Sequence, residues 1–224
     1  MRHRTVAELM THDVVRARFD LPFKEIAGLL AANDVTAVPV VDEQDRPIGV
    51  VSEADLLRKS ADRADPSGLV PVPHLEAWER AKAEGARAEE LMSAPAVCAR
   101  PEWTVVEAAR LMETDHVKRL PVVDETGKLL GIVSRSDLLR VFLRRDEAIR
   151  EEIHRNVLQE TMGLAPSAVT AEVRQGEVSL RGSVEVRSLV PIIERLCQSV
   201  DGVVAVHEHI ACRTDGGRRP HDGM

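Results

Sequence analysis

Gly49-Val50-Val51-Ser52-Glu53-Ala54-Asp55-Leu56-Leu57 and Gly131-Ile132-Val133-Ser134-Arg135-Ser136-Asp137-Leu138-Leu139 are one string written twice, 82 residues apart (131 − 49). The same offset joins Leu9-Met10 to Leu91-Met92 and Pro39-Val40-Val41-Asp42-Glu43 to Pro121-Val122-Val123-Asp124-Glu125 (91 − 9; 121 − 39). Aligned without a gap, 5–59 and 87–141 agree at about 40% of positions, so duplication of one folding unit is the economical explanation. Two such units are expected to pack about a pseudo-two-fold axis, which creates two related clefts, the default places for a ligand.

Each copy predicts the order βαββα. Val14-Val15 and Val97 are read as short strands after a turn containing Leu-Met. Ile26, Leu29 and Leu30 fall at helical spacing within 22–33, as do Ala108, Leu111 and Met112 within 104–115. Two β-branched runs follow, 38–41 and 48–51, joined by a polar turn; in the second copy the turn contains Gly127, which supplies a positive φ. A helix then starts at Glu53 and at Arg135.

Between the copies, 60–73 is rich in Asp, Pro and Ser and reads as an exposed linker, and 75–90 as a solvated charged helix broken near Gly85. Beyond Arg144 the pattern changes. An amphipathic helix is predicted over 146–162, with Ile149, Ile153, Val157 and Leu158 on one face, stopped by Gly163-Leu164-Ala165-Pro166. A half-buried hairpin follows, 169–173 and 178–184 about Gln175-Gly176-Glu177. A second helix over 188–200 carries Leu189, Ile192, Ile193 and Leu196 on its apolar face and tolerates Pro191 in its first turn. The last strand is 203–211, which makes an αββαβ domain. The overall expectation is an α/β (α+β) chain: 1–62 repeat one, 63–86 linker with a charged helix, 87–144 repeat two, 145–213 the small domain, and 214–224 a disordered tail.

Composition narrows the function classes. Two Trp, three Phe and no Tyr leave aliphatic cores and no aromatic platform for stacking bases, and a net charge of −7 argues against a broad nucleic-acid surface. Cys98, Cys197 and Cys212 are odd in number and lack CxxC spacing, as reduced thiols of a cytoplasmic protein would. The N-terminal residues contain no apolar signal core, and no apolar run approaches the roughly 18 residues of a membrane span. Catalytic signatures are also missing. There is no Gly-x-x-x-x-Gly-Lys-Ser/Thr loop, no Gly-x-Ser-x-Gly elbow, and no room for a barrel of about 250 residues. His207-x-His209 puts two rings on one strand face near Cys212, but no fourth metal ligand follows in sequence.

The chemistry is carried by Gly-x-x-Ser-x-x-Asp at the step from strand to helix. Serine at an N-cap with an acid three residues on satisfies orphan backbone N–H groups with no ligand at all. The same geometry also suits an anion, because free N–H groups and the helix dipole face it, while the serine hydroxyl bonds a phosphate or ribose oxygen. An ionised aspartate is acceptor-only and can take both hydrogens of a ribose diol. A cap in the empty protein can become a ligand contact.

On these residues, over about 5–143, both repeats resemble CBS domains, and the pair resembles a Bateman module. The resemblance implies a regulatory unit that binds adenosine derivatives in clefts between the repeats, with AMP, ADP or ATP ahead of S-adenosylmethionine and no cofactor required. It implies that Ser52 and Ser134 meet phosphate or ribose and that Asp55 and Asp137 hold the ribose hydroxyls. Val38-Pro39 and Leu120-Pro121 would line the adenine pocket, with backbone near Val14 and Val97 reading the base edge. His116, Lys118 and Arg119 would meet phosphate, arginine being the better bidentate partner. Because that basic segment lies in the second copy, tighter binding of a phosphorylated ligand is expected at the second repeat's cleft. The family further implies a homodimer.

The C-terminal segment resembles BON domains through Gly176-x-Val178-x-Leu180-x-Gly182-x-Val184 and Gly202-Val203-x-x-Val206. That family is associated with phospholipid surfaces or protein docking, usually outside the cytoplasm, and the CBS–BON pairing has a bacterial look. The leading expectation is a non-enzymatic cytoplasmic sensor in which an adenine nucleotide biases the CBS pair and the BON-like domain passes the change to an unknown protein partner. The alternative is a scaffold or membrane-surface adaptor with vestigial clefts.

Overall fold

A computed structural model describes residues 4–61, 76 and 84–214. Most of the expected linker, Trp78 included, and the tail beyond Thr214 lie outside the described residues, as does the charged helix of 75–90 except Glu76 and 84–90. The chain divides into two compact units, Thr5–Leu138 and a C-terminal unit from Leu139 onward that also takes in Arg4. By this division the 3-10 turn Arg140–Leu143 is grouped with the C-terminal unit.

In the first unit the elements are α1 (Val6–Leu9), β1 (Ala17–Arg18), α2 (Phe23–Ala32), β2 (Ala37–Val41), β3 (Pro47–Ser52), α3 (Glu53–Ala61), α4 (Ala88–Leu91), α5 (Val105–Thr114), β4 (Arg119–Val123), β5 (Leu129–Ser134) and α6 (Arg135–Leu139). α2 buries Ile26 and Leu30, and α5 buries Ala108 and Met112, the i and i+4 rows of each apolar stripe. α5 starts with a capping box: Thr104 Oγ1 accepts from Glu107 N–H, and the Glu107 carboxylate reaches back to Thr104.

The two hairpins keep the same register. Val38 faces Val51 and Val40 faces Gly49 in β2–β3, as Leu120 faces Val133 and Val122 faces Gly131 in β4–β5. At each turn an aspartate holds the loop: Asp42 Oδ1 accepts from Gln44 and Arg46 N–H, and Asp124 Oδ1 from Thr126 and Lys128 N–H. Gly127 takes the positive φ expected of it, whereas in the first copy Asp45 adopts one. The opening strands differ from expectation. The ladder lies at Ala17–Arg18 rather than Val14-Val15, and in the second copy it shrinks to a single bridge from Ala99 to Val122. The stretches through Val14 and Val97 run as connections instead, because they cross to the other repeat.

That crossing is reciprocal. Thr11 and Ile132 exchange backbone hydrogen bonds at 2.9 and 3.0 Å, and Ser93 and Val50 do the same at 2.9 and 3.0 Å. Val6 N–H donates to Trp103 C=O, and Ala88 N–H to Leu21 C=O. The first repeat's core of Ile26, Leu30, Val38, Val40 and Val51 accordingly contains Ala88 and Leu91 from the second. Full burial of Leu91 contributes about 1.5–3 kcal/mol to a core that is not its own repeat's. Glycine permits the close approach: a Cβ on Gly49 would lie 2.4 Å from Met92 Sδ, and one on Gly131 would lie 2.5 Å from Met10 Sδ. The repeated Leu-Met pair and the repeated glycine are thus contact partners across the pseudo-two-fold.

The C-terminal unit comprises α7 (Asp146–Glu152), a π-helical continuation (Ile153–Thr161), β6 (Val169–Arg174), β7 (Glu177–Val186), α8 (Leu189–Gln198) and β8 (Ala205–Thr214), with sheet order β6-β7-β8. The predicted helix is there, but its second half widens from α to π. Ile149, Ile153 and Val157 are spaced by four, which overshoots a 3.6-residue turn by about 40° per step. The wider i→i+5 turn undershoots and returns the stripe to the sheet, so all three and Leu158 are buried. Gln175 and Gly176 both have positive φ, the two-residue hairpin turn that matches strand twist. Asp146 accepts from both of their N–H groups, at 2.7 and 3.0 Å. β8 runs parallel to β7, with α8 as the crossover. On α8, Ile193 and Cys197 form the buried row. Ile192, expected on the apolar face, is 48% exposed, because only one row fits over three strands.

Candidate functional site

Both clefts lie within the first unit, where a strand turns into a helix opposite the other repeat. The larger, of about 550 Å³, falls within the roughly 300–1,000 Å³ of small-molecule sites. Its floor is the β3–α3 junction with Ser52, Glu53, Asp55 and Arg58, and its far wall is Pro95 to Val97 with the His116 to Arg119 segment. The smaller, of about 260 Å³, sets Ser134, Ser136 and Asp137 against Asp13, Val14, Asp34 and Thr36. Arg119 lines both.

At each junction the aspartate caps its own serine. Asp55 Oδ2 accepts from Ser52 N–H at 2.9 Å and from Ser52 Oγ–H at 2.6 Å. Asp137 Oδ2 accepts from Ser134 at the same two distances. The surroundings then diverge. Asp55 is buried, with Arg58 Nη1 donating to its other oxygen at 2.5 Å. Asp137 is only half-buried, and Ser134 Oγ also meets Ser136 Oγ at 2.8 Å, where the first copy has Ala54. A buried carboxylate needs such partners, since an unpaired charge there is costly.

Arg119 reaches back across the pseudo-two-fold. Its Nη2 donates to Thr36 Oγ1 at 2.6 Å and its Nη1 to Ala37 C=O at 3.2 Å. Ala37 is the position equivalent to Arg119 in the first repeat (119 − 82). Burial pushes the guanidinium's pKa below the ordinary arginine range, and the nearby carboxylates of Glu53 and Asp137 pull it back up. The residue remains a cation at neutral pH. The cleft linings consequently differ in charge. Arg58, Lys118 and Arg119, with His116, face Glu53 and Asp55 in the larger; Arg119 alone faces Asp13, Asp34 and Asp137 in the smaller.

Of the residues singled out from sequence, Ser52, Asp55, Val97, His116, Lys118 and Arg119 gather in the larger cleft. Val14, Ser134 and Asp137 gather in the smaller, again with Arg119. Val38, Pro39, Leu120 and Pro121 reach neither wall. β2 and β4 are covered on both faces, so these four are buried within the sheets, and Ala37 and Arg119 at the strand starts are what the clefts see. The basic segment was joined in sequence to Ser134 and Asp137 of its own repeat. The crossing connections place it opposite Ser52 and Asp55 instead, which moves the cationic cleft to the first repeat's junction. Arg58 was missed, although Asp-Leu-Leu-Arg recurs at Asp137-Leu138-Leu139-Arg140 and marks it as part of the repeated string. Thr36 carries no such signal, since its role arises only from Arg119 crossing to it.

The CBS domain family matches residues 6–62 and 88–144, which together span both junctions and both basic and acidic cleft walls. The chain belongs to that family. Residues 145–214 match the BON domain family, so a CBS pair is followed by a BON domain. An uncharacterised protein of Methanopyrus kandleri is 30% identical over 154 residues, covering 68% of this chain and 70% of that protein. The chloroplastic CBS domain-containing protein CBSX1 of Arabidopsis thaliana is 30% identical over 154 residues, 62% of this chain and 64% of its own length. Among solved structures, CBSX2 in complex with AMP superposes with a TM-score of 0.52 at 29% identity, covering 62% of this chain and 96% of that one. Among the described residues, no helix is long and apolar enough to cross a membrane.

Proposed function

We propose that this protein is a non-enzymatic regulatory sensor whose larger cleft binds an adenine nucleotide of the AMP, ADP or ATP type. The observation that carries the reading is the pairing of the Ser52–Asp55 helix opening with Lys118 and Arg119 in one cleft of about 550 Å³. The Asp55 carboxylate, already an acceptor from Ser52, is the group for the ribose diol. When a ribose takes that carboxylate, the Ser52 hydroxyl and the first N–H groups of α3 are released toward a phosphate, with Lys118 and Arg119 supplying charge-assisted bonds. The AMP complex of CBSX2 supports the choice of ligand. The smaller, acidic cleft suits a less anionic adenosine compound.

Regulation follows from differential affinity, because a nucleotide that prefers one arrangement of the CBS pair shifts the protein toward it. In this reading the BON domain presents the change to a protein partner, and the protein works as a cytoplasmic homodimer associating through its CBS pair. Leu57 on α3, 65% exposed, supports the latter as an apolar contact point. The test is calorimetric titration with AMP, ATP and S-adenosylmethionine, with native mass spectrometry of the freshly purified protein. Asp55→Asn is expected to weaken AMP binding at least about tenfold, the effect of losing one charge-assisted bond pair, and Asp137→Asn to weaken it less. Equal losses in the two variants, or no binding by the unaltered protein, would refute it.

A further inference from the structure

One arginine serves two clefts. A symmetric pair of repeats would bring one such cation to each cleft, but the first copy has Ala37 where the second has Arg119. The Arg119 side chain lines both cavities and is parked between them on Thr36 Oγ1 and Ala37 C=O. We propose that Arg119 couples the two clefts negatively: an anionic ligand that draws the guanidinium into the larger cleft strips the smaller one of its cation. The inference rests on the adenine-nucleotide reading and adds a rule of occupancy to it.

The charges on the walls set the sign. The larger cleft retains Lys118 and Arg58 if Arg119 turns away, whereas Arg119 is the sole cation among the described residues lining the smaller, opposite Asp13, Asp34 and Asp137. With the guanidinium engaged by a phosphate on the far side, the described lining of the smaller cleft carries the carboxylates of Asp13, Asp34 and Asp137 and no cation to offset a second phosphate. Like charges repel, most strongly at half-buried Asp137 and more weakly, through solvent and salt, at the exposed Asp13 and Asp34. A neutral ligand gives Arg119 no reason to move and leaves the second cleft unchanged. Coupling of this kind depends on the phosphate and not on adenine or ribose.

The repeats offer equivalent places to close either cleft, although at the smaller one the substitution also removes the Ser136 hydroxyl that meets Ser134 Oγ. Ala54 is exposed on the larger cleft's wall and Ser136 is exposed on the smaller's. AMP and adenosine are titrated by calorimetry into the unaltered protein and into Ala54→Trp, with Ser136→Trp identifying the first step. Closing the larger cleft is expected to tighten AMP binding at the smaller, relative to the second step of the unaltered protein, by roughly 5- to 150-fold. The gain should vanish with adenosine and in the Arg119→Gln background; Arg119→Lys, which keeps the charge, should retain part of it. If AMP binds the smaller cleft equally whether the larger is open or closed, or does not bind it at all in Ala54→Trp, the coupling is refuted. If the unaltered protein binds neither AMP nor adenosine, the nucleotide reading fails first and takes the coupling with it.

Discussion

Replacing Gly49 with alanine tests the reciprocal packing on which both clefts depend. The added Cβ would lie 2.4 Å from Met92 Sδ, 2.8 Å from its Cγ and 2.9 Å from the Ser93 carbonyl oxygen. Carbon atoms in favourable contact sit about 3.5–4.0 Å apart, so each of these neighbours must retreat. The methionine can rotate away. The carbonyl cannot, because it accepts the Val50 N–H at 3.0 Å, and moving it breaks the bridge that holds 93–97 against β3. Overpacking of this kind costs about 1–3 kcal/mol. For a chain of this length each kcal/mol lowers the melting midpoint by roughly 2–4 °C, so a fall of about 2–12 °C is expected by calorimetry or circular dichroism. Gly28→Ala is the internal control: nothing lies within 4 Å of its Cβ in α2, and helix propensity there should stabilise by about 0.5–1 kcal/mol. Adding Met92→Ala to Gly49→Ala should not restore the midpoint, since the carbonyl contact remains. If Gly49→Ala melts with or above Gly28→Ala, the close approach of the two repeats is wrong.

Asp55→Asn is expected to destabilise by about 1–3 kcal/mol, because it leaves Arg58 without its ion pair beside a buried side chain, and Asp137→Asn by less; denaturant midpoints compare them. Burial raises the Cys197 thiol to about 12, so at pH 8 it should resist thiol-disulfide reagents until denaturant opens the C-terminal unit; labelling at a native-state rate would contradict its place in that core. Hydrogen bonds from Thr104 hold the Glu107 carboxyl below its ordinary pKa. A depressed folded-state pKa contributes stability that is present above the unfolded value and lost as pH falls through the folded one. Thr104→Ala keeps the backbone N–H, the larger cause, and removes only the hydroxyl, so it should raise the Glu107 titration part of the way towards its ordinary value, followed by NMR, and soften the acid side of the stability profile; an unchanged Glu107 titration would rule out the hydroxyl's share in the capping box.

Much of the architecture was legible because the repeat is a physical constraint as well as a pattern. Period-2 and helical spacings located both hairpins and α2 and α5 to within a residue or two, since those faces do the burying. What remained hidden depends on contacts distant in sequence. Val14 and Val97 look like strand residues, yet their segments leave their own repeat and run across to the other. Val38, Pro39, Leu120 and Pro121 look like pocket residues only if one face of their strand is open, and both faces are covered. The basic segment 116–119 could not be assigned to its cleft from sequence, because that assignment follows from which connection crosses. Ile192 was misplaced for a simpler reason: helical spacing defines a stripe, but the width of a three-stranded sheet decides how much of it is buried. The turn from α to π at Ile153 was foreshadowed by four-residue spacing, a signal easily absorbed into an ordinary helix.

The exchange of opening segments, 5–15 onto β5 and 87–97 onto β3, carries a lesson about ancestry. A lone copy would expose the floor of its own sheet and hold a loose arm with nothing to cover. Two identical copies on separate chains would meet the same need as a swapped pair, each lending its arm to the other. Joining the two copies in one polypeptide makes that loan permanent. It also let positions 37 and 119 differ, alanine in one copy and arginine in the other, which two identical chains could not do.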